Sequence, residues 1–301
     1  MASPYFEIFD KRFESFVSDR SRLEKHHTGM EWAEGPAYFA DGDYLIFSDI
    51  PNNIMFKWDK HVGITKFRVP SDFSNGNSLD LSGRLITCEH GTRRVTRTEA
   101  DGSVTVIADR FQGKRFNSPN DLVMKSDASI WFTDPPYGIL SNDEGYKAES
   151  EIGSCNVYRI APDSESVTVV ADDFDKPNGI AFSPDEKILY ISDTGATHNP
   201  DGPHHIRAFD VVDGKSLKNS RVFVEIAPAV PDGFRLDLDG NVWTSAGDGV
   251  HCYAPDGRLL GKILVPEIVA NVEFGGTDNK LLFITASTSL YSIRLMQKGA
   301  R

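Results

Sequence analysis

The sequence predicts an all-β protein with the architecture of a six-bladed β-propeller. Six stretches resemble one another, each with an apolar strand, a polar turn containing Gly or Asp, and a β-branched or aromatic strand. They begin at six polar or acidic residues: Glu34, Asn77, Asn120, Asn178, Asp232 and Asn271. Successive stretches lie roughly 40 to 60 residues apart, around the length of one four-stranded blade, and such a period is typical of a radial array.

Further strands follow within each repeat. After the second strand come alternating third strands such as RVTRTEADG and NVYRIAPDS, and five repeats continue into an outer strand such as VTVIAD. The sixth repeat ends at Leu295 with only three strands. We therefore expect the segment from Phe16 to His27 to supply its fourth strand, which closes the ring and removes an exposed sheet edge.

The N-terminal segment is predicted to contain a short helix. Within residues 5–17, apolar side chains recur at helical spacing: Phe6, Phe9, Phe13, Phe16 and Val17. This pattern indicates an amphipathic helix that lies on the propeller. The segment is charged throughout and lacks an apolar core of about 7 to 15 residues, so it does not resemble a secretory signal. Residues 1–301 are predicted to form one propeller domain, with residues 1–30 as its helix and closing strand.

Composition argues against several classes of function. The formal net charge is -12, which disfavours nucleic-acid binding because phosphate contacts need clustered Lys and Arg. No apolar run approaches the roughly 18 to 20 residues that cross a bilayer, so no membrane partner is expected. Cys88, Cys155 and Cys252 are widely spaced and suggest neither a disulfide framework nor a thiolate zinc site. We therefore expect a cytoplasmic protein whose partner is a small molecule.

The predicted topology places the repeated polar residues at one end of the central channel. In an up-and-down blade, the start of the first strand and the loop between the second and third strands lie on the same face. Two connections on that face are long, Pro135 to Ser154 and Thr194 to His205. Long loops over a rigid scaffold commonly carry recognition or gating, and surface decoration is the alternative.

The residues at that channel mouth have the chemistry of a cation site. Glu34 and Asp232 supply carboxylates, and Asn120 and Asn178 supply amide oxygens. Such hard donors suit Ca²⁺, Mg²⁺ or Mn²⁺ better than a thiophilic metal. Carboxylates that converge on one axis take up protons, meet a base or share a cation, and no Lys or Arg occupies the equivalent repeat position. The alternative interpretation is that these residues cap turns.

Four short motifs fall in separate repeats and in chain order. They are Glu34-Gly35-Pro36, Ser118-Pro119-Asn120-Asp121, Pro177-Asn178-Gly179 and Pro231-Asp232-Gly233. They resemble the motifs of the SMP-30/gluconolactonase/LRE-like family, and FNSPNDLVMKSDASIWFTDPPYGI is similar to its bacterial gluconolactonase branch. The resemblance implies a six-bladed propeller with one catalytic divalent cation held by Glu34, Asn178 and Asp232, and with Asn120 as a further ligand or a substrate contact. The animal branch has Arg where Ser118 stands, so that contact to the sugar ring is not carried over.

The resemblance also implies an activity, the hydrolysis of an aldono-1,4- or 1,5-lactone such as gluconolactone to the sugar acid. The enzyme would be a carboxylic ester hydrolase, with Ca²⁺ as the first choice of cation and Mg, Mn, Zn or Fe as alternatives. A cation stabilises the negative charge that gathers on the carbonyl oxygen when water adds. Asp232 and Asp134 are the candidate proton acceptors, although Asp134 equally suits a turn role. His90 is a candidate donor to substrate or loop, with a structural histidine as the alternative.

Other classes of function stay open at this point. The same oxygen ligands would serve a calcium-dependent phosphotriesterase that resembles diisopropyl fluorophosphatase and acts on a phosphoryl centre. A noncatalytic calcium-binding propeller would keep the fold and need no open metal position. A metal-free propeller resembling strictosidine synthase conflicts with the presence of both Glu34 and Asp232. Assays of lactones beside an organophosphate separate the first of these from a lactonase.

Overall fold

The computed structural model describes residues 4–300, which form six antiparallel blades. The predicted six-bladed β-propeller is confirmed. The innermost strand of each blade contacts the innermost strands of the two neighbouring blades, and these contacts run round a closed ring. The ring leaves a central channel, toward which the start of each innermost strand points.

The blades contain the following strands. Blade one holds β3 (Ala33–Phe39), β4 (Tyr44–Asp49), β5 (Ile54–Asp59) and β6 (Gly63–Arg68); blade two holds β7 (Ser74–Leu79), β8 (Leu85–Glu89), β9 (Arg94–Thr98) and β10 (Val104–Ala108). Blade three holds β13 (Leu122–Met124), β14 (Ile130–Asp134), β15 (Cys155–Ile160) and β16 (Val167–Phe174); blade four holds β17 (Pro177–Phe182), β18 (Ile188–Asp193), β19 (His205–Val212) and β20 (Ser216–Glu225). Blade five holds β21 (Phe234–Leu236), β22 (Val242–Ala246), β23 (Gly249–Tyr253) and β24 (Leu259–Leu264); blade six holds β25 (Val269–Gly275), β26 (Leu281–Ala286) and β27 (Ser289–Arg294).

Shorter elements complete the chain. A two-stranded hairpin, β11 (Arg110–Phe111) and β12 (Lys114–Arg115), joins blades two and three. The helix α1 (Tyr137–Leu140) and the 3-10 turn Gly195–Thr197 lie in the two long loops. Among residues 4–300, no helix combines the length and apolar character needed to cross a membrane.

The N-terminal segment is tied to the last two blades. The strand β2 (Leu23–Thr28) pairs with β27 as the outermost strand of blade six. The predicted helix over residues 5–17 is replaced by β1 (Phe6–Ile8), which pairs with β24, and by the 3-10 helix Lys11–Ser15. An open sheet edge offers β1 backbone partners that a short isolated helix lacks.

The hydrophobic core lies between neighbouring blades. Trp58 of blade one packs edge-to-face on Phe283 of blade six, with ring centroids 4.9 Å apart. Trp131 of blade three packs in the same way on Phe182 of blade four. Because each blade packs on two others, the channel-lining strands are held in a fixed register, and the polar side chains at their starts belong to a rigid frame.

Candidate metal centre at the channel mouth

Strand register shows which residues of the six blades share one level of the channel. Glu34 lies opposite Ser48 in the β3–β4 pair, and a bulge separates it from the Ala37–Ile46 pair. The same pairings in the other blades place these residues level with Glu34: Asn75, Asn120, Asn178, Asp232 and Ala270. The predicted position of Asn77 is therefore wrong by two residues: Asn75-Gly76 corresponds to Glu34-Gly35, and Asn77 lies two residues further along β7.

Asn77 has a structural role instead. Its amide nitrogen donates to the Gly35 carbonyl at 2.8 Å and to Ser48 Oγ at 3.1 Å, and its Oδ1 accepts from Thr87 Oγ1. The side chain is fully buried. It joins blades one and two beneath the mouth, and all its hydrogen-bonding groups are used.

The next level of the channel is made of four glycines and two polar side chains. Asp121 and Asn271 come from the opposite blades three and six, and the other four blades place Gly at this level. A Cβ on Gly76 would lie 2.7 Å from Asp121 Oδ1, and one on Gly233 would lie 1.9 Å from Asn271 Cγ. The glycines therefore make room for two side chains that fill the channel directly below the mouth.

Glu34 is buried and has one oxygen without a partner. Its Oε2 accepts from the Gly35 backbone N–H at 2.6 Å and from Asn271 Nδ2 at 3.0 Å. Its Oε1 is buried without a hydrogen bond. Burial, together with the nearby charge of Asp121, raises the pKa of Glu34 to about 8. An ionised carboxylate in this position needs a positive charge.

An ionised Asp232 carboxylate also needs a positive charge nearby. Burial raises its pKa well above the ordinary value, and the charges of Glu34 and Asp121 raise it further, while a hydrogen bond from the Asn178 side chain opposes them. Asn178 and Asn120 are both buried beside these acids. No cluster of three or more His, Cys, Asp or Glu residues is arranged for a metal within residues 4–300. The candidate donor set has two carboxylates and two amides, and the unpartnered oxygen and the like-charge repulsion both fit a divalent cation.

Below Asp121 and Asn271, the channel contains a positively charged side chain, that of Arg235. Arg235 donates from Nε to Glu273 Oε2 at 2.8 Å, and its Nη1 lies 3.9 Å from Asp121 Oδ2. Asp121 Oδ2 has no hydrogen-bond partner and is buried, so this guanidinium is its nearest positive charge among the ion pairs of the described chain. Arg235 thus links blades three, five and six through acidic side chains.

Asp134 is held by backbone donors. Its two oxygens accept from the Asn117 and Ser118 backbone N–H groups, both at 2.8 Å, and the side chain is fully buried. Burial raises its pKa to about 7. Asp193 at the end of β18 accepts two backbone N–H groups in the same way. This repeated arrangement favours the turn role of Asp134, and its role as a general base stays a prediction.

His90 contacts the long loop rather than open channel. Burial lowers its pKa to about 4, so the ring is neutral. It donates from Nδ1 to the Glu144 carbonyl at 3.2 Å and accepts at Nε2 from the Asn75 amide at 3.3 Å. Of the two contacts predicted for His90, to substrate or to loop, the structure has the loop contact.

The two long loops are joined above the mouth. The Tyr137 hydroxyl lies 2.7 Å from Thr194 Oγ1 and 2.9 Å from Thr197 Oγ1, both in the second loop. Its ring lies 5.7 Å from that of His198. Burial raises the pKa of Tyr137, and the charges of Asp232 and Glu144 raise it further.

A separate cavity of about 460 Å³ lies on blade four, between its outer strands and the end of the second long loop. The charged groups that line it are already paired. Arg207 donates to Asp173 and Ser220, and Asp193 accepts two backbone N–H groups. The channel mouth, with its unpartnered carboxylate oxygen, has the stronger claim to be the functional site.

Sequence reasoning missed several residues of the site. Asp121 directly follows the motif residue Asn120, and Asn271 begins the sixth repeat, so both were visible in the repeats. Arg235 was detectable as a basic residue in a short innermost strand. Glu144 and Tyr137 lie in the long loop between β14 and β15, outside the repeated strands, and no sequence pattern marks them.

Comparison with known proteins places the chain in a family. Residues 32–288 match the SMP-30/gluconolactonase/LRE-like region. The chain is 31% identical to a gluconolactonase of Zymomonas mobilis subsp. mobilis, over 97% of this chain and 86% of that protein. It is 27% identical to a pentonolactonase of Haloferax volcanii, over 86% of this chain and 83% of that protein. The solved structure of a Xanthomonas campestris gluconolactonase superposes with a TM-score of 0.91 at 37% identity, covering 97% of this chain and 94% of that one. The chain therefore belongs to the SMP-30/gluconolactonase/LRE-like family.

Proposed function

We propose that this protein is a metal-dependent lactonase that hydrolyses an aldono-1,4- or 1,5-lactone, such as gluconolactone, to the sugar acid. The observation that carries the proposal is the buried, unpartnered Oε1 of Glu34 in the same acidic mouth as Asp232. The relatives named gluconolactonase and pentonolactonase support lactone hydrolysis as the reaction.

The residues suited to hold the cation are Glu34, Asn120, Asn178 and Asp232. A divalent cation bound there supplies positive charge for the ester carbonyl oxygen, on which negative charge develops during water addition. Ca²⁺ matches the carboxylate and amide donors, and Mg²⁺, Mn²⁺, Zn²⁺ and Fe²⁺ are the alternatives to compare.

The chain's own residues must also accept a proton from water. Asp232 is only half-buried and lies at the mouth, whereas Asp134 has both oxygens engaged by backbone donors. The Asp232 carboxylate is therefore the better placed acceptor, and it stays oriented through the Asn178 side chain. A general base of this kind contributes roughly 10² to 10⁴ in rate.

A substrate screen tests the proposal. The chelated protein is reloaded with each divalent cation and assayed for acid release from glucono-, galactono- and xylonolactones beside an organophosphate ester. We expect hydrolysis of at least one aldonolactone, loss of activity after chelation, and recovery with one or more cations.

Two results would count against the proposal. Hydrolysis of the organophosphate alone would favour a phosphotriesterase. Cation binding without hydrolysis of any ester would favour a noncatalytic calcium-binding propeller.

A further inference from the structure

We propose that Glu144 determines substrate specificity at this site: its carboxylate accepts hydrogen bonds from the hydroxyl groups of neutral sugar lactones and disfavours lactones that carry an anionic substituent. The inference rests on the proposed lactonase function. Glu144 belongs to the long loop between β14 and β15, which exceeds in length the corresponding loop of blade four between β18 and β19.

The backbone around Glu144 is fixed over the mouth. The Glu144 carbonyl accepts from Nδ1 of the buried His90, which anchors the loop to blade two. The next residue, Gly145, packs so closely on Gly138 that a Cβ would lie 2.2 Å from the Gly138 carbonyl oxygen. The Tyr146 backbone N–H donates to that same carbonyl at 3.0 Å. These contacts give residue 144 a defined position rather than that of a freely moving loop tip.

The Glu144 carboxylate itself has no hydrogen-bond donor or ion-pair partner within residues 4–300. It is only partly exposed, and burial raises its pKa. Its charge reaches both Asp232 and Tyr137, whose pKa values it raises. The contacts of His90 agree with this position, because its Nδ1 bonds the Glu144 carbonyl and its Nε2 bonds Asn75, which is level with Glu34. Residue 144 therefore lies at the rim of the mouth, and its carboxylate oxygens have no partner within residues 4–300.

Hydroxyl groups are the donors that such a carboxylate accepts without a counter-charge. A polyhydroxylated lactone brings several of them to the mouth. An anionic substituent would instead meet Glu144 in a region that already contains Asp121 and Asp232, and repulsion between like charges is strong where water is partly excluded. The geometry therefore favours neutral polyols over phosphorylated or sulfonated lactones.

The test compares two substrates on the cation-loaded full chain. One is glucono-1,5-lactone, and the other has the same ring with a sulfonate at carbon 6. Glu144→Gln removes the charge and keeps the shape, Glu144→Ala removes both, and Glu149→Gln changes an exposed carboxylate of the same loop as the matched control. Bound metal and melting temperature are measured for each variant.

We expect Glu144→Gln to raise kcat/KM for the anionic lactone relative to the neutral one by about tenfold, the effect of one close charge in a partly screened site. Glu144→Ala should raise KM for gluconolactone by roughly five- to tenfold with a smaller change in kcat, as expected for a lost hydrogen bond in the bound state. The control should leave both ratios unchanged, and bound metal should not change in any variant.

Unchanged selectivity in both Glu144 variants would overturn the inference. So would loss of bound metal in Glu144→Gln, since Glu144 would then be a ligand. A wild-type protein that hydrolyses neither lactone contradicts the proposed function instead, so the two failures are distinguishable. If Glu144→Ala unfolds, the Gln variant alone decides the outcome.

Discussion

Glu34 and Asp232 carry more negative charge into the channel mouth than the surrounding donors satisfy. Replacing either by its amide, Glu34→Gln or Asp232→Asn, keeps the side-chain shape and removes a charged donor for the cation. We expect bound metal to fall and lactone turnover to drop by about 10²-fold or more, because charge stabilisation in the transition state is lost. Metal content and kcat are measured together, with exposed Glu31→Gln as the control. Near-normal turnover in either amide variant would contradict the assignment.

The raised pKa of Glu34 predicts how the metal-free protein responds to pH. Its pKa is about 8 in the folded chain against 4.5 for an ordinary Glu side chain, so between these pH values the folded state binds more protons than the unfolded state. Stability from this group is therefore present at pH 4.5 and is lost as pH rises toward 8. We expect the melting temperature of the chelated protein to fall over that window. The fall should be smaller in Glu34→Gln or with saturating Ca²⁺, and an identical pH dependence in all three samples would exclude Glu34 as its source.

Asp134 and Asp193 allow a structural role to be separated from a catalytic one. Each buried carboxylate accepts two backbone N–H groups at the end of a second strand. We expect Asp134→Asn and Asp193→Asn to lower the free energy of unfolding by similar amounts, about 1–3 kcal/mol, because an amide satisfies the paired donors poorly. Turnover per metal-loaded molecule should change only a few-fold in both. A selective loss of 10² to 10⁴ in Asp134→Asn, with loss of the acid limb of its pH profile, would instead identify Asp134 as the general base.

At the scale of elements, the starts of the innermost strands decide what occupies the channel. Gly233 leaves space for Asn271, whose amide holds Glu34 Oε2. Gly233→Ala should cost about 1–3 kcal/mol of stability through overpacking and should weaken cation binding by displacing Asn271. Removing the obstructing side chain in Gly233→Ala/Asn271→Ala should recover part of the stability in a double-mutant cycle. Purely additive losses would show that the two residues do not compete for one space.

The strands themselves were largely predictable from sequence, because alternating apolar residues and Gly or Asp turns specify a blade locally. The sequence placed Glu34, Asn120, Asn178 and Asp232 at one level of the channel for the same reason, since each of them begins a repeat. Asn77 was placed wrongly because Asn75 and Asn77 both precede the same apolar strand, and only the strand pairing shows that Asn75-Gly76 is the counterpart of Glu34-Gly35. Of the helix predicted over residues 5–17, only the 3-10 helix Lys11–Ser15 forms. Residues before it form β1, which gains its partners from β24, far away in the chain, and local spacing does not report such pairing.

At the scale of the whole molecule, the six blades close around a channel whose charges must also balance. Arg235 lies on blade five and meets Glu273 of blade six and Asp121 of blade three, so one side chain connects blades that do not all neighbour one another. Arg235→Met would leave the buried Asp121 and the partly buried Glu273 without their cation, and we expect the free energy of unfolding to fall by about 3–5 kcal/mol.

The exposed pair of Arg221 with Asp210 provides the matched control, for which Arg221→Met should cost about 0–1 kcal/mol. Both variants are compared by denaturant unfolding at equal cation saturation. The surface ion pair and the channel ion pair differ in burial rather than in chemistry. The difference between the two losses in free energy of unfolding therefore measures how much more the channel ion pair contributes to stability. Equal, small losses would mean that water enters the lower channel and screens Asp121 and Glu273, and the ring would then depend on its apolar contacts between blades alone.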